Sequence, residues 1–263
     1  MIFTFIKKIP FKIPLYLYGI YQREKLKRTK NYISSERLNL KNEPYVSIVI
    51  LTYNALDYIK KCINSLSKTD YKNFEIIIVD NASGENTRKY LKDLKAKGIV
   101  DKLHLSRKNN YFAKGNNIGA SLCSKKSEYI LLLNSDTEII DPKWLKILVS
   151  NVPPKGIISF GWADLPIPRP DGWCFFINRK TYSEESGLNE YYQMNWGITE
   201  LTGKLLNKKI TVRSIINPGK FIIHYGKRSY TKGIFSNKFN QIDPLYFLKL
   251  YRKYDTYQVF KIN

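Results

Sequence analysis

The residues of this chain best suited to chemistry are the polar stretches that end its apolar runs. Thr52-Tyr53-Asn54 follows VSIVIL, Asp80-Asn81-Ala82-Ser83 ends FEIIIVD, and Asn134-Ser135-Asp136 follows YILLL, with Asn116 and Asn117 between them. Carboxylates, amides and hydroxyls in this mixture suit hydrogen bonds to a base and a ribose, plus a hard cation held on a diphosphate. Taken singly, Asp80 and Asp136 suit turn or helix caps equally well.

The elements that must position these groups follow from periodicity. VSIVIL, FEIIIV and YILLL are solid apolar runs without alternation, which predicts strands buried on both faces of a parallel sheet. A weaker strand is expected at KLHLS. Between the strands, Ile59, Cys62, Ile63 and Leu66 repeat at helical spacing, as do Tyr90, Leu91 and Leu94, and a third helix is expected around Ile118 and Leu122. The NASGENT stretch predicts a turn and a cap before the second helix. The result is an α/β chain with helices on both faces of a mostly parallel sheet, and such sheets bind ligands beyond the carboxyl ends of their strands.

No G-x-G-x-x-G follows a strand and no G-x-x-x-x-G-K-[ST] is present, which removes the dinucleotide fingerprint and the P-loop. Cys62, Cys123 and Cys174 form no Cys-x-x-Cys pair and are read as small hydrophobes in a reducing compartment. Lys and Arg number 44 against 22 Asp and Glu, a net charge of +22, so anionic partners are expected: nucleic acid, acidic lipid or a phosphorylated small molecule. The basic residues are spread along the chain and no nucleic-acid-binding motif is visible, so nucleic acid is set aside.

Residues 1–43 form a basic, aromatic arm. Lysines and prolines interrupt its apolar stretches too often for a membrane span, and no small-residue cleavage site follows them. Aromatic residues mixed with lysine suit a segment in the interface of an anionic membrane, or equally an arm packed on its own domain. Pro10 and Pro14 are expected to disturb a helix there. The tail, 236–263, has a similar Tyr and Lys-rich character.

The segments VSIVILTYNALDYIKKCINSL, FEIIIVDNASGENT, NNYFAKGNNIGAS, YILLLNSDTEI and, more weakly, GLNEYYQM and IIHYGKRS occur in this order between Val46 and about Ser229. Together they resemble family 2 glycosyltransferases of the GT-A fold, particularly bacterial rhamnosyltransferase-like members. The resemblance implies a domain over 44–235, with a nucleotide-sugar half (44–140) and an acceptor half (141–235). It implies that Thr52, Asn54 and Asp80 hold the nucleoside, with Asn81, Ser83, Asn117 and Asn134 lining the same site. The family's Asp-x-Asp element stands here as Asn134-Ser135-Asp136, which gives Asp136 the metal role. His224 resembles the late His that completes the metal shell or touches the diphosphate, and Lys227 and Arg228 lie just beyond it. The activity implied is inverting transfer of a sugar from a nucleotide-diphosphate donor to a glycan or polyprenyl-linked acceptor, with Mg²⁺ or Mn²⁺, peripheral on the cytosolic face of a membrane.

One part of the pattern fails. If Trp196 aligns with the aromatic residue that precedes the family's Glu-Asp-x-Asp-like acids, Gly197 and Ile198 occupy the acidic pair's positions. Glu200 is then the nearest carboxylate for the general base, with Asp164, Asp171 and Glu190 as weaker candidates. A first-turn acid on a solvated helix face is the plain alternative for Glu200. The rival reading is a degenerate GT-A domain that binds a nucleotide sugar or a partner transferase without transferring sugar.

Overall fold

A computed structural model describes residues 9–28, 31–33, 40, 42–163, 166–192, 195–226, 243–253 and 255–262. Lys227, Arg228 and Asp164 lie outside the described residues.

The three solid apolar runs are strands β2 (Val46–Thr52), β3 (Phe74–Asp80) and β5 (Tyr129–Asn134), and KLHL is β4 (Lys102–Leu105). Strand β2 lies between β3 and β5, parallel to both, with β4 at the edge beyond β3. Successive side chains point to opposite faces. Ile48, Ile50, Ile78, Leu131 and Leu133 therefore enter one core, and Val49, Ile77, Ile130 and Leu132 enter the other. Both are fully enclosed, which is why these runs show no polar alternation.

The first core is closed by α2 (Leu56–Leu66), which buries the expected Ile59, Cys62, Ile63 and Leu66, and by α3 (Glu85–Ala96) with Leu91 and Leu94. On the other face α4 (Tyr111–Ser121) lies against β2. Gly115 and Gly119 permit this approach: a Cβ at these positions would stand 2.4 Å from the Leu51 side chain and 2.2 Å from that of Val49.

Continuing along the chain are β6 (Thr137–Ile139), α5 (Trp144–Asn151), β7 (Ile157–Phe160), the short pair β8 (Trp162–Ala163) and β9 (Arg169–Pro170), and β10 (Cys174–Asn178). Next come α6 (Arg179–Glu184), α7 (Asn195–Asn207), β11 (Val212–Ile216), β12 (Ile222–His224), α8 (Pro244–Leu250) and β13 (Tyr257–Ile262). Strand β10 is antiparallel to both β5 and β7; the other pairings of the large sheet are parallel. Its reversal carries Trp173, just before the strand, to the rim where the parallel strands end.

The first stretch of the chain folds into α1 (Ile9–Lys27) and β1 (Asn31–Ile33). Helix α1 runs through both Pro10 and Pro14, contrary to the disturbance expected of them. Pro10 stands in the first turn, where the missing N–H has no intrahelical partner. Leu15 and Leu26 are buried in the second core, and the Tyr18 hydroxyl donates to the Tyr251 carbonyl at 2.7 Å. Strand β13 inserts between β1 and β11, so both ends of the chain contribute to one edge of the sheet.

Candidate nucleotide and metal site

Two groups of the expected residues meet at the carboxyl rim. The first lies at the ends of β2 and β3. Asp80 is fully buried; its Oδ1 accepts from Thr52 Oγ1 at 3.1 Å and its Oδ2 from the Ser83 N–H at 3.1 Å, with Arg88 Nε 3.8 Å from Oδ2. These partners take up three of the about four acceptor positions that a carboxylate offers. Asn54 ties the neighbouring turn: its N–H donates to Ser83 Oγ at 2.7 Å and its Oδ1 accepts from the Gly84 N–H at 2.9 Å. The start of α3 thus differs from the expected cap, since Gly84 is the N-cap and a side chain thirty residues earlier satisfies its N–H.

Asn81 links this pocket to α4, donating from Nδ2 to the Tyr111 carbonyl at 3.0 Å and accepting from the Asn110 N–H at 3.3 Å. Asn54, Ala55, Ala82 and Tyr111 all hold φ between 52° and 61°. Left-handed backbone in non-glycine residues is costly and persists where its surroundings enforce it. Here it turns the chain sharply after β2 and β3 and at the start of α4.

The second group is built by a two-stranded pairing remote in sequence. Strand β12 runs antiparallel to β6, setting His224 opposite Thr137, and the Tyr225 N–H donates to the Asp136 carbonyl at 2.9 Å. His224 Nε2 thereby stands 3.2 Å from Asp136 Oδ1 and 3.3 Å from Asn134 Nδ2. The Trp173 indole stacks on the imidazole, and its carbonyl accepts from the Asn134 N–H at 2.8 Å. Two acceptors cannot face each other at this distance, so either Nε2 carries a hydrogen that it donates to Asp136 Oδ1 or a cation lies between them.

The separation fits a divalent ion, because two adjacent ligands at about 2.1 Å in an octahedral shell lie roughly 3.0 Å apart. Among the described residues no group of three or more His, Cys, Asp or Glu side chains gathers to hold a metal alone. Asp136 and His224 would supply two positions, leaving the others to phosphate oxygens and water. Burial pushes the Cys62 thiol, whose Sγ lies 3.5 Å from Thr137 Oγ1, up to about 11, so it is an inert neighbour of this site.

Asn117 and Glu200 are placed elsewhere. Asn117 Oδ1 accepts from Tyr182 Oη and the Leu188 N–H, and its Nδ2 donates to the Leu188 carbonyl and Glu190 Oε1, so it pins α4 to the 188–190 loop. Asn116 is buried and donates to the Phe112 carbonyl within α4. Glu200 is 3% exposed; Asn189 Nδ2 and Tyr246 Oη donate to Oε1 at 3.1 and 2.8 Å, and Lys204 Nζ lies 3.1 Å from Oε2. Burial, and secondly this bond to Glu200, raise the Tyr246 pKa. Gly197 packs under Tyr192, Leu188 and Ala113, and Ile198 is fully buried. Of the remaining candidates, Glu190 is exposed and Asp171 is half-buried in the turn before Trp173.

Two contributors escaped the sequence reading. Arg88 could have been noticed, because a cation in the first turn of α3 opposes the helix dipole and calls for a partner. Trp173 precedes the apolar run CFFIN and carried no signal separating it from the core.

Residues 47–158 match the model of Glycosyl transferase family 2. The UDP-Glc:alpha-D-GlcNAc-diphosphoundecaprenol beta-1,3-glucosyltransferase WfaP of Escherichia coli is 36% identical over 109 residues, 40% of this chain and 39% of WfaP. The chain spans less than half the length of the curated relatives it matches. Among solved structures, the mannosyltransferase PcManGT of Pyrobaculum calidifontis, in complex with GDP-Man and Mn²⁺, superposes with a TM-score of 0.63 at 16% identity. That superposition covers 83% of this chain and 67% of PcManGT. TarS of S. aureus, in complex with UDP-GlcNAc, gives 0.54 at 16% identity over 78% of this chain and 64% of TarS. The fold is GT-A, and residues 47–158 carry the similarity to glycosyl transferase family 2.

Proposed function

We propose that the protein transfers a sugar from a nucleotide-diphosphate donor to a hydroxyl of a glycan or polyprenyl-linked acceptor, with inversion, in the synthesis of a surface polysaccharide or glycoconjugate. The observation that carries this reading is the 3.2 Å approach of His224 Nε2 to Asp136 Oδ1 on the rim that also holds the Asp80 pocket. The names of the relatives add support: WfaP uses a UDP-sugar and a diphosphoundecaprenol acceptor, and PcManGT was solved with GDP-Man and Mn²⁺.

In this reading Asp80 and Thr52 orient the base, and the Asn54 and Ser83 turn closes on the nucleoside. Asp136 and His224 would hold Mg²⁺ or Mn²⁺, which when bound would offset the charge developing on the departing diphosphate. Arg88 places a positive charge beside the same pocket. The acceptor hydroxyl must give up its proton as it attacks, and Glu200, Asp171 and Glu190 are the carboxylates for that role. Glu200 must first leave three partners, whereas for Asp171, in the turn that ends at Trp173, the side-chain bond among the described residues is the one that Oδ1 accepts from the Gly172 N–H at 2.8 Å.

One observation favours a second reading, a domain that binds nucleotide sugar without transferring it. If Trp196 aligns with the family's aromatic residue, the positions of the acidic pair are filled by packed Gly197 and Ile198, and Glu200 is buried and bound by Asn189, Tyr246 and Lys204. Incubating the protein and Mn²⁺ with UDP-, dTDP- and GDP-sugars, with lipid-linked acceptors supplied, separates the two. Release of nucleoside diphosphate with a product of inverted anomeric configuration supports transfer. Tight metal-dependent binding without turnover supports the second reading, and neither binding nor turnover rejects both.

A further inference from the structure

Helix α1 is two-faced in an unusual sense. Leu15, Gly19, Gln22 and Leu26 face the domain, and Gly19 approaches so closely that a Cβ there would stand 1.8 Å from the Pro166 carbonyl oxygen. The opposite side is not the polar face expected of a surface helix. Tyr16, Leu17, Ile20 and Tyr21 are 44%, 62%, 40% and 64% exposed. Their spacing sets them in two adjacent ridges, 16 with 20 and 17 with 21, which makes one contiguous aromatic and aliphatic patch. Leu245 of α8, the helix packed against α1, is also 59% exposed.

Basic residues border the patch. Lys25, Lys27 and Arg28 are exposed at the end of α1, and Arg252 and Lys253 are exposed next to Tyr251, whose carbonyl is bound by Tyr18. Glu24, on the same helix, pairs with Arg23 and Lys27. A second copy of the chain is disfavoured as the occupant, because two molecules of charge +22 repel. An anionic lipid surface suits both the apolar patch and its basic border, the lysines and arginines meeting headgroups while the aromatic rings enter the interface.

We propose that the outer face of α1, carrying Tyr16, Leu17, Ile20 and Tyr21 with its basic border, docks the protein on the surface of an anionic bilayer. Among the described residues no helix is long and apolar enough to cross a membrane, so the contact meant here is peripheral. The inference is independent of sugar transfer, since docking requires neither donor nor metal.

The test is sedimentation of the full chain with vesicles of phosphatidylglycerol and phosphatidylcholine in equal parts, and with pure phosphatidylcholine, at low and high salt. Removing α1 would open the second core, so substitutions on its outer face are used instead. Leu17→Asp/Tyr21→Asp is compared with Ile99→Asp, an exposed apolar position outside the patch and 45% exposed. The expected result is salt-sensitive binding to the anionic vesicles, reduced about tenfold or more by the double substitution and unchanged by Ile99→Asp, with unaltered thermal melting. Failure of the wild type to bind at low salt, equal binding by the double variant, or equal loss in Ile99→Asp would overturn the proposal. So would self-association of the wild type without vesicles that the double substitution abolishes.

Discussion

The indole of Trp173 lies face to face with the imidazole of His224, with ring centroids 4.9 Å apart and 12° between their planes. Behind the indole, Gly161 adopts φ +109°, and a Cβ there would stand 2.5 Å from Trp173 Nε1. Trp173 thus packs closely both on the backbone at Gly161 and on the ring of a proposed metal ligand. Trp173→Leu is expected to weaken Mn²⁺-dependent nucleotide binding about tenfold, the scale seen when an outer support of a metal ligand is lost, while Trp173→Phe keeps most of the affinity. In a His224→Ala background Trp173→Leu should have no further effect. An undiminished effect there would make Trp173 a packing residue only.

Glu200 and Asp171 are expected to separate structure from catalysis. Glu200→Gln removes the ion pair with Lys204 and turns one acceptor into a donor within a buried network, a loss of about 2 kcal/mol read from the urea midpoint. Asp171→Asn should leave melting and donor binding intact and lower turnover about a hundredfold or more. If Glu200→Gln instead keeps full stability and loses turnover, the base is Glu200.

Acid sensitivity is expected at the opposite end of the sheet. Glu75 is 4% exposed; burial would raise its pKa, but Ser47 Oγ, the Ser124 N–H and Lys102 together outweigh burial and hold the carboxyl below its ordinary range. A folded-state pKa below the unfolded value gives stability that is full above the unfolded value, about 4.3, and is lost as pH falls through the folded one. Glu75→Ala should cost about 3 kcal/mol at neutral pH and less in acid, measured by urea unfolding across that range. A penalty that is the same at every pH would show that the charge is not what stabilises.

The parallel strands β2, β3 and β5 were legible because they are buried on both faces, a condition that leaves solid apolar runs with polar residues only at their ends. Thr52, Asp80 and Asn134 stand at those ends for that reason. His224 meets Asp136 through the pairing of β12 with β6, a contact between distant segments that a short run such as FIIH does not announce. For Asn117 and Glu200, helical position does not reveal which neighbour a side chain faces, and both are bound by loop 188–190. The terminal segments looked alike in composition, Tyr and Lys throughout, but strand pairing of β1 and β13 depends on a partner, not on local pattern.

In the proposed function, Asp136 and His224 make nucleotide binding depend on a divalent ion. Calorimetric titration of the full chain with UDP, dTDP and GDP, each with and without Mn²⁺, tests it directly when repeated on Asp136→Ala. Predicted is binding of at least one nucleotide that Mn²⁺ strengthens, and loss of that metal-dependent gain, about a hundredfold or more, in the folded variant. Equal affinity with and without Mn²⁺, or a metal-dependent gain that survives in Asp136→Ala, would contradict it.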